Sequence, residues 1–288
     1  MAGIRKVVFP VAGLGTRMLP ATKVLPKEML PVVDRPLIQY AVEEAAAAGA
    51  EQFIFVTGRG KTLIEDHFDR AWELFDALAR KRKQEALAEL EKAVPEAGCF
   101  VYTRQQAPLG LGHAVWCARH IVGDEPFAVM LVDDLIHART PCLAQLAEAH
   151  AETGGNIVAV MEVAREHTGR YGIVDPGTTS DRLVEIRGFV EKPDPAEAPS
   201  RFAVIGRYVL SGRIFRILES LPAGAGGEIQ LTDAMSRLLQ EEPFFGLRFE
   251  GRRFDCGDRL GYLEAIVALA MEREDLAAGL HAALRHYV

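Results

Sequence analysis

The apolar run Val7-Val8-Phe9 breaks directly into Pro10-Val11-Ala12-Gly13-Leu14-Gly15-Thr16-Arg17-Met18-Leu19-Pro20. A strand that empties into a glycine loop belongs to α/β sheets, which bind ligands at the carboxyl ends of their strands. Behind the loop come Lys23 and then Pro26-Lys27-Glu28-Met29-Leu30-Pro31. Gly13 and Gly15 carry no side chains, so backbone N–H groups beside Thr16 can approach an anion, and Arg17, Lys23 and Lys27 add positive charge. The combination suits a polyphosphate. Two other phosphate loops fail on spacing. A dinucleotide loop G-x-G-x-x-G needs glycine where Met18 stands, and Pro20 interrupts the helix that should follow. A Walker A loop matches at Gly60-Lys61-Thr62, but its first glycine falls on Phe55, inside the strand-like run 52–57. Gly58-Arg59-Gly60 therefore reads as a turn.

Strand-like runs at 7–11, 53–57, 100–103 and 127–132 alternate with helical patterns at 37–48 and 114–121, which predicts βαβ units. Ile64, Phe68, Trp72, Phe75 and Leu78 recur at helical spacing, so one or two exposed amphipathic helices are expected as an insertion at about 61–95. The run Arg80-Lys81-Arg82-Lys83 is interleaved with acids and reads as a solvated face, not a nucleic-acid surface. Short strands at 157–163 and 183–189 predict an antiparallel extension laid over the edge of the sheet, and helices return at 214–220, 229–240 and 260–274. No linker or repeat divides the chain. The expected fold is thus α/β and Rossmann-like: a mixed, mainly parallel central sheet flanked by helices, with a small antiparallel extension. One domain is expected over 1–288, with a C-terminal helical segment at about 259–288.

The net charge of −7 excludes a nucleic-acid coat or an anionic membrane surface as the main partner. Met1 to Lys6 lacks the apolar core of a signal peptide, and no run approaches the length of a membrane helix. Cys99, Cys117, Cys142 and Cys256 are far apart with no C-x-x-C, so a reduced, cytoplasmic setting is expected. The eight histidines show no helical metal pairing, and His113, the one near a motif, reads as structural. The stripe containing Trp72 is expected to seek a second copy, as a homodimer or homotetramer.

The pattern G-x-G-T-R-x-L-P at 13–20, followed by P-K-E-x-L-P at 26–31, resembles the signature of sugar-phosphate nucleotidyltransferases. Attack by a sugar phosphate on a nucleoside triphosphate needs no general base, because a phosphomonoester with a second pKa of about 6 is already mostly dianionic. It needs cations at the leaving group, an acid for Mg²⁺ and a separate cation for the incoming phosphate. Arg17 and Lys27 supply the first. Asp133 and Asp134 end the apolar run 127–132, where one of them reads as a metal ligand and the other as a cap for the next helix. Glu191-Lys192 offers an acceptor for sugar hydroxyls beside a cation for the sugar phosphate. Asp255, before Cys256-Gly257, reads equally as a second metal ligand or as an Asx turn.

Further segments extend the resemblance over nearly the whole chain: Arg104-Gln105, Pro108 to Ala114, Arg170 to Val174, Gly206 to Leu210, Gly227 to Ala234, and Asp255-Cys256-Gly257 with Gly261-Tyr262. With them the chain is similar to the bacterial UTP–glucose-1-phosphate uridylyltransferase branch, next to which thymidylyltransferases and non-catalytic paralogues are the alternatives. The resemblance implies UTP and glucose 1-phosphate as substrates and Mg²⁺ as cofactor. It assigns Ala12 and Gly13 to the nucleotide, Gln105 and the Gly110 backbone to the uracil edge, and Gly172, Glu191 and Val204 to the glucose. Lys192 takes its phosphate, Asp133 and Asp255 the metal, and Glu228 and Asp233 helix-end packing. Met18 and Ala107 stand where the family commonly has an aromatic and an acidic residue.

Overall fold

The computed structural model describes residues 3–94, 96–224 and 227–287, so the expected bounds at 1, 95 and 288 lie outside the described residues. In chain order, β1 (Lys6–Pro10) precedes a hairpin of β2 (Pro31–Val32) and β3 (Arg35–Pro36), then α1 (Leu37–Ala47) and β4 (Gln52–Thr57). α2 (Thr62–Phe68), α3 (Trp72–Arg80) and α4 (Gln84–Ala93) lead to β5 (Phe100–Arg104). α5 (Leu111–Trp116) and α6 (Arg119–Val122) precede β6 (Phe127–Met130), β7 (Asp134–His137) and α7 (Cys142–Thr153). Then come β8 (Asn156–Glu162), β9 (Gly172–Thr179), β10 (Leu183–Glu191), β11 (Phe202–Leu210), α8 (Ile214–Ser220) and α9 (Leu231–Leu238). β12 (Phe244–Arg248), β13 (Arg252–Asp255), α10 (Arg259–Met271) and α11 (Ala277–Leu284) end the described chain.

Nine strands form one sheet in the order β5-β4-β1-β6-β11-β8-β12-β10-β9. Side-chain alternation along its strands separates two cores: Val7, Phe9, Phe53 and Phe55 enter one, and Val8, Ile54, Val56 and Val129 the other. The phenyl rings stack across the parallel strands, with Phe9 and Phe55 centroids 5.1 Å apart.

The strand directions correct the expected sheet. β5-β4-β1-β6 is parallel, as is β8 with β12. The pairs β6–β11, β11–β8, β12–β10, β10–β9 and β9–β11 are antiparallel, so antiparallel pairing predominates among the described residues. The pairing of Ala203 with Ile173 closes β11, β8, β12, β10 and β9 into a ring of five strands. What was expected as a small extension over an edge is half of the sheet, entered at its middle through β11. That strand escapes a period-2 reading because it is buried on both faces and carries Gly206-Arg207 at its centre.

The insertion is also subdivided into three helices, α2 to α4. Ile64, Phe68 and Phe75 are buried within the chain, whereas Trp72 remains 68% exposed. The Arg70 guanidinium lies 4.7 Å from the Trp72 ring centroid and 4.3 Å from that of Phe75. The stripe is therefore mostly internal packing.

One ion pair ties the two halves of the sheet together. Arg207, on β11, donates to both carboxylate oxygens of Glu44 on α1, with Nη2 2.7 Å from Oε2. Its Nη1 donates to the carbonyls of Leu131 and Gly206, at 2.9 Å each, and Glu44 also accepts from the Leu143 N–H at the start of α7. Removing one partner of such a pair strands the other charge. Arg207→Met should cost about 3–5 kcal/mol in urea unfolding. The double variant Arg207→Met, Glu44→Leu should recover most of that loss, and equal losses in the single and double variants would refute the account.

Candidate active site

The parallel strands β4, β1 and β6 deliver their carboxyl ends to one side, and the chain runs from β1 to β4 on one flank while β6 lies on the other. Such a switch point opens a crevice between the loops that follow β1 and β6. The glycine loop follows β1. Gly15 adopts φ +67°, and a Cβ there would sit 3.2 Å from the Lys27 Cβ and 3.3 Å from that of Thr22, whose hydroxyl donates to the Gly15 carbonyl at 2.7 Å. Gly58, just beyond β4, packs so closely on Ala12 that an added Cβ would meet its carbonyl at 3.2 Å. The Gly58-Arg59-Gly60 segment is a turn, as expected, with Gly60 at φ +76°.

Asp133 follows β6 and meets two of the expected cations. Lys27 Nζ lies 2.7 Å and Arg17 Nη2 3.5 Å from its Oδ2. Burial alone pushes the Asp133 carboxyl up, but the charge and hydrogen bond of Lys27, with help from Arg17, hold it below the usual range. Burial likewise lowers Lys27, and the charges of Asp133 and Glu28 more than reverse this. Gly257 closes the far side: a Cβ there would lie 2.7 Å from Asp133 Oδ2. Lys23 is exposed, outside this group.

A cavity of about 210 Å³ extends from Asp133 and Arg17 to Asp255, Gly172, Val204, Glu191 and Lys192. The structure thus brings both expected metal ligands and all the expected sugar-side residues to one space. Glu191 Oε2 accepts from the Thr232 hydroxyl at 2.8 Å, and Lys192 Nζ lies 3.0 Å from Glu191 Oε1. Gly172 leaves room for this arrangement, since a Cβ would lie 3.3 Å from Glu191 Oε2. Lys192 itself has φ +45°, in the left-handed region, with its N–H donating to the Tyr171 carbonyl at 3.0 Å. Gln105, Gly110, Ala12, Gly13, Gly15 and Thr16 lie outside the cavity lining, at the ends of β5 and β1. Lys27 is also outside the lining, beneath the glycine loop, where a Cβ on Gly13 would lie 3.9 Å from its Cε.

The two aspartates after β6 divide differently from expectation. Asp134 caps no helix; it opens β7, accepts the Gly206 N–H at 2.9 Å and pairs with Arg253. Burial raises its carboxyl despite that arginine. Asp255 does make the Asx turn, its Oδ1 accepting the Gly257 N–H at 3.2 Å, while its Oδ2 faces Arg253 at 3.4 Å and Arg170 at 3.6 Å. Arg170, Tyr171, Thr232 and Arg253 also line the cavity; the first three fall in segments that carry the resemblance but were given no role, and Arg253 was not singled out. They come from separate elements: Arg170 and Tyr171 lie just before β9, Arg253 on β13, which pairs with β7, and Thr232 on α9, which packs against β10. Cys256, between these acids, has its thiol pushed up to about 12 by burial and by Asp133, Asp134 and Asp255.

A second buried pair lies under the site. Lys61 Nζ is 2.7 Å from Glu28 Oε2, with side-chain exposures of 7% and 1%, and Glu28 Oε1 has no partner among the described residues. Lysine 61, the residue that fits the end of a phosphate loop in the sequence, is thus a counter-ion to the residue after Lys27. Burial raises the Glu28 carboxyl against the pull of both lysines. Gln105 donates through Nε2 to the Gly110 carbonyl at 3.0 Å and faces His113 Nδ1 at 3.0 Å.

A strand-end crevice that sets two acids between separate groups of cations is a site for transfer between phosphates. The chain belongs to the nucleotidyl transferase family, whose model matches residues 6–272. Among its relatives, a UTP–glucose-1-phosphate uridylyltransferase of Bacillus subtilis (strain 168) is 50% identical over 276 residues, 96% of this chain and 94% of that protein. A solved UTP-bound UGPase from Acinetobacter baumannii superposes with a TM-score of 0.91 at 42% identity, covering 98% of each chain. A UDP-glucose pyrophosphorylase solved with UDP-glucose gives 0.86 at 43% identity, over 94% of this chain and 100% of that one.

Lys27 is the main counter-charge to Asp133, so its removal has a defined sign. A depressed carboxyl stabilises the fold at neutral pH, and that contribution is lost as pH falls through the depressed value. In Lys27→Met, burial acts against a backbone hydrogen bond and Arg17 only, and the Asp133 midpoint should rise in a carboxyl-carbon NMR titration. An unmoved midpoint would assign the depression to the backbone hydrogen bond and Arg17 instead of Lys27.

Proposed function

We infer that the protein transfers the uridylyl group of UTP to glucose 1-phosphate, releasing pyrophosphate and forming UDP-glucose. One observation carries this reading: a single cavity holds Arg17 and Asp133 at one end and the Glu191-Lys192 pair at the other. A triphosphate and a sugar phosphate can therefore meet over the acids. The uridylyltransferase relative and the UTP- and UDP-glucose-bound structures support the choice of substrates.

In this scheme an oxygen of the sugar phosphate attacks the α-phosphorus, the new P–O bond forms as the bond to pyrophosphate breaks, and no side chain removes a proton. The backbone of Ala12, Gly13, Gly15 and Thr16 receives the nucleotide, and Arg17 with Lys27 offsets charge on the departing pyrophosphate. Lys192 holds the sugar phosphate, while Glu191, oriented by Thr232, accepts sugar hydroxyls beside Gly172 and Val204. Gln105 and Gly110 meet the uracil edge.

The family typically uses Mg²⁺. Asp133 and Asp255 fit that ion: both are hard carboxylate donors on one cavity, and both cations on Asp133 meet Oδ2, leaving Oδ1 without an ion pair among the described residues. No group of three or more His, Cys, Asp or Glu suited to a metal exists among the described residues. Two carboxylates suffice for an ion that also binds phosphate oxygens and water. Held there by Asp133 and Asp255, Mg²⁺ would supply Lewis-acid offset of phosphate charge.

Turnover measured across four nucleoside triphosphates and several sugar 1-phosphates should peak with UTP and glucose 1-phosphate. Asp133→Asn should lose on the order of a hundredfold in kcat/KM. Lys192→Ala should raise KM for glucose 1-phosphate roughly tenfold or more, and Arg17→Ala should do so for UTP. Failure with every sugar 1-phosphate would end the proposal, and a rise confined to UTP in both variants would misplace Lys192.

The same reading includes one domain across the chain, a cytoplasmic setting for its four free thiols, and assembly as a homodimer or homotetramer. No helix among the described residues is long and apolar enough to cross a membrane. The assembly rests on exposed Trp72 and on Leu260 and Leu263 of α10, which are 66% and 57% exposed. Sedimentation of the wild type against Trp72→Glu and Leu263→Glu should show dissociation in at least one variant, and a monomeric wild type at micromolar concentration would remove the idea.

A further inference from the structure

We propose that His113 is a positioning residue for base selection: by accepting a hydrogen bond from Gln105, it leaves the Gln105 carboxamide with only its oxygen to offer the nucleotide, which favours uracil over cytosine. The proposal rests on the reading of Gln105 as a base contact.

The orientation of the amide follows from its neighbours. Gln105 stands at the end of β5, with its backbone N–H bound to the Thr57 carbonyl at 2.9 Å. Its side-chain terminus faces the Gly110 carbonyl at 3.0 Å, and a carbonyl oxygen can only accept. The atom that faces it is therefore the NH₂ group, not the oxygen. The same nitrogen lies 3.0 Å from His113 Nδ1, so that ring nitrogen must carry the lone pair and the ring proton must sit on Nε2. Both amide hydrogens are then engaged. Oε1 has no hydrogen bond among the described residues, and what the amide can still do is accept.

Both acceptors are held from outside. Gly110 has φ +96°, and a Cβ there would lie 2.8 Å from the Glu228 Cβ and 2.9 Å from the Ile229 carbonyl. The Ile229 N–H donates to the Leu109 carbonyl at 2.7 Å, and the Ile229 carbonyl receives the Gly112 N–H at 2.8 Å. The stretch before α9 thus clamps the Gly110 turn. The His113 ring stacks on the Trp116 indole with centroids 5.7 Å apart and 27° between planes, and the Arg119 guanidinium lies 3.4 Å from the same indole centroid. Burial, reinforced by the charge of Arg119, lowers the His113 imidazole, which favours the neutral ring that this network requires.

An acceptor-only amide discriminates between pyrimidines by polarity. Uracil presents an N–H at ring position 3 and can donate to Oε1. Cytosine presents a lone pair there, so two acceptors would face each other and both would stay unpaired. Thymine has the same N–H as uracil, so this device separates UTP from CTP and not from dTTP. Without His113, only the Gly110 carbonyl holds the amide, and the amide can present its NH₂ group to cytosine.

The test compares kcat/KM for UTP and CTP, with glucose 1-phosphate, in the wild type, His113→Leu, His113→Asn and Gln105→Leu. The UTP-to-CTP ratio should fall on the order of tenfold in His113→Leu. It should return in His113→Asn, whose Oδ1 can stand in for Nδ1. A ratio unchanged in His113→Leu but lost in Gln105→Leu overturns the role of His113 and leaves the base contact standing. Unchanged UTP kinetics and an unchanged ratio in Gln105→Leu remove the base contact, and the proposal with it. A measurement on the unaltered protein covers a variant that does not fold: nitrogen NMR should find His113 protonated on Nε2 and bare on Nδ1, and the opposite tautomer refutes the proposal.

Discussion

The contact between Arg207 and Glu44 is the joint on which the architecture turns. The parallel sheet and the antiparallel ring meet at the β6–β11 ladder and through the cores on both faces, and one side-chain contact locks that junction from inside. At that edge a guanidinium with 1% exposure spans from α1 to the last turn of chain before Asp133. Two charges so placed are stable only as a hydrogen-bonded pair, and here the geometry is bidentate and the remaining N–H groups meet carbonyls. The loop that carries Asp133 is thus fixed by the interior, not by its own sequence.

That dependence explains which parts of the fold were legible in advance. The parallel strands β1, β4, β5 and β6 read clearly because each is a short apolar run beside a helix with its own punctuation, as with α1 between Pro36 and Gly49. The antiparallel half was undersized for the opposite reason. β11 is buried along almost its whole length yet contains a glycine and an arginine, which break a hydrophobic run on paper. β9 carries Pro176-Gly177 within it, and those residues look like the end of a strand. α7 was passed over between the strands that flank it.

The site divides along the same line. Residues within motifs, such as Arg17, Lys27, Asp133, Glu191 and Lys192, were visible because the required charges are clustered in sequence. Arg170, Arg253 and Thr232 also line the cavity, but they reach it through tertiary packing of a turn, a strand and a helix far apart in sequence. The pair Asp133-Asp134 shows how little adjacency says about role. Both line the cavity, but one side chain meets Lys27 and Arg17 while the next, at the start of β7, meets Arg253 and the Gly206 amide. Local chemistry was readable, while the division of labour between neighbours depended on strand direction.

Glu28 and Lys61 give the helical insertion a meaning beyond covering the sheet. Lys61 is the residue immediately before α2, and its ammonium is the counter-ion of an almost fully enclosed carboxylate next to Lys27. The insertion therefore cannot be trimmed back to β4 as if it were an ornament. A chain shortened that way would leave an uncompensated acid directly behind the lysine that faces Asp133, and that lysine would acquire a competing anion. The first residue of this excursion is wired into the floor of the crevice.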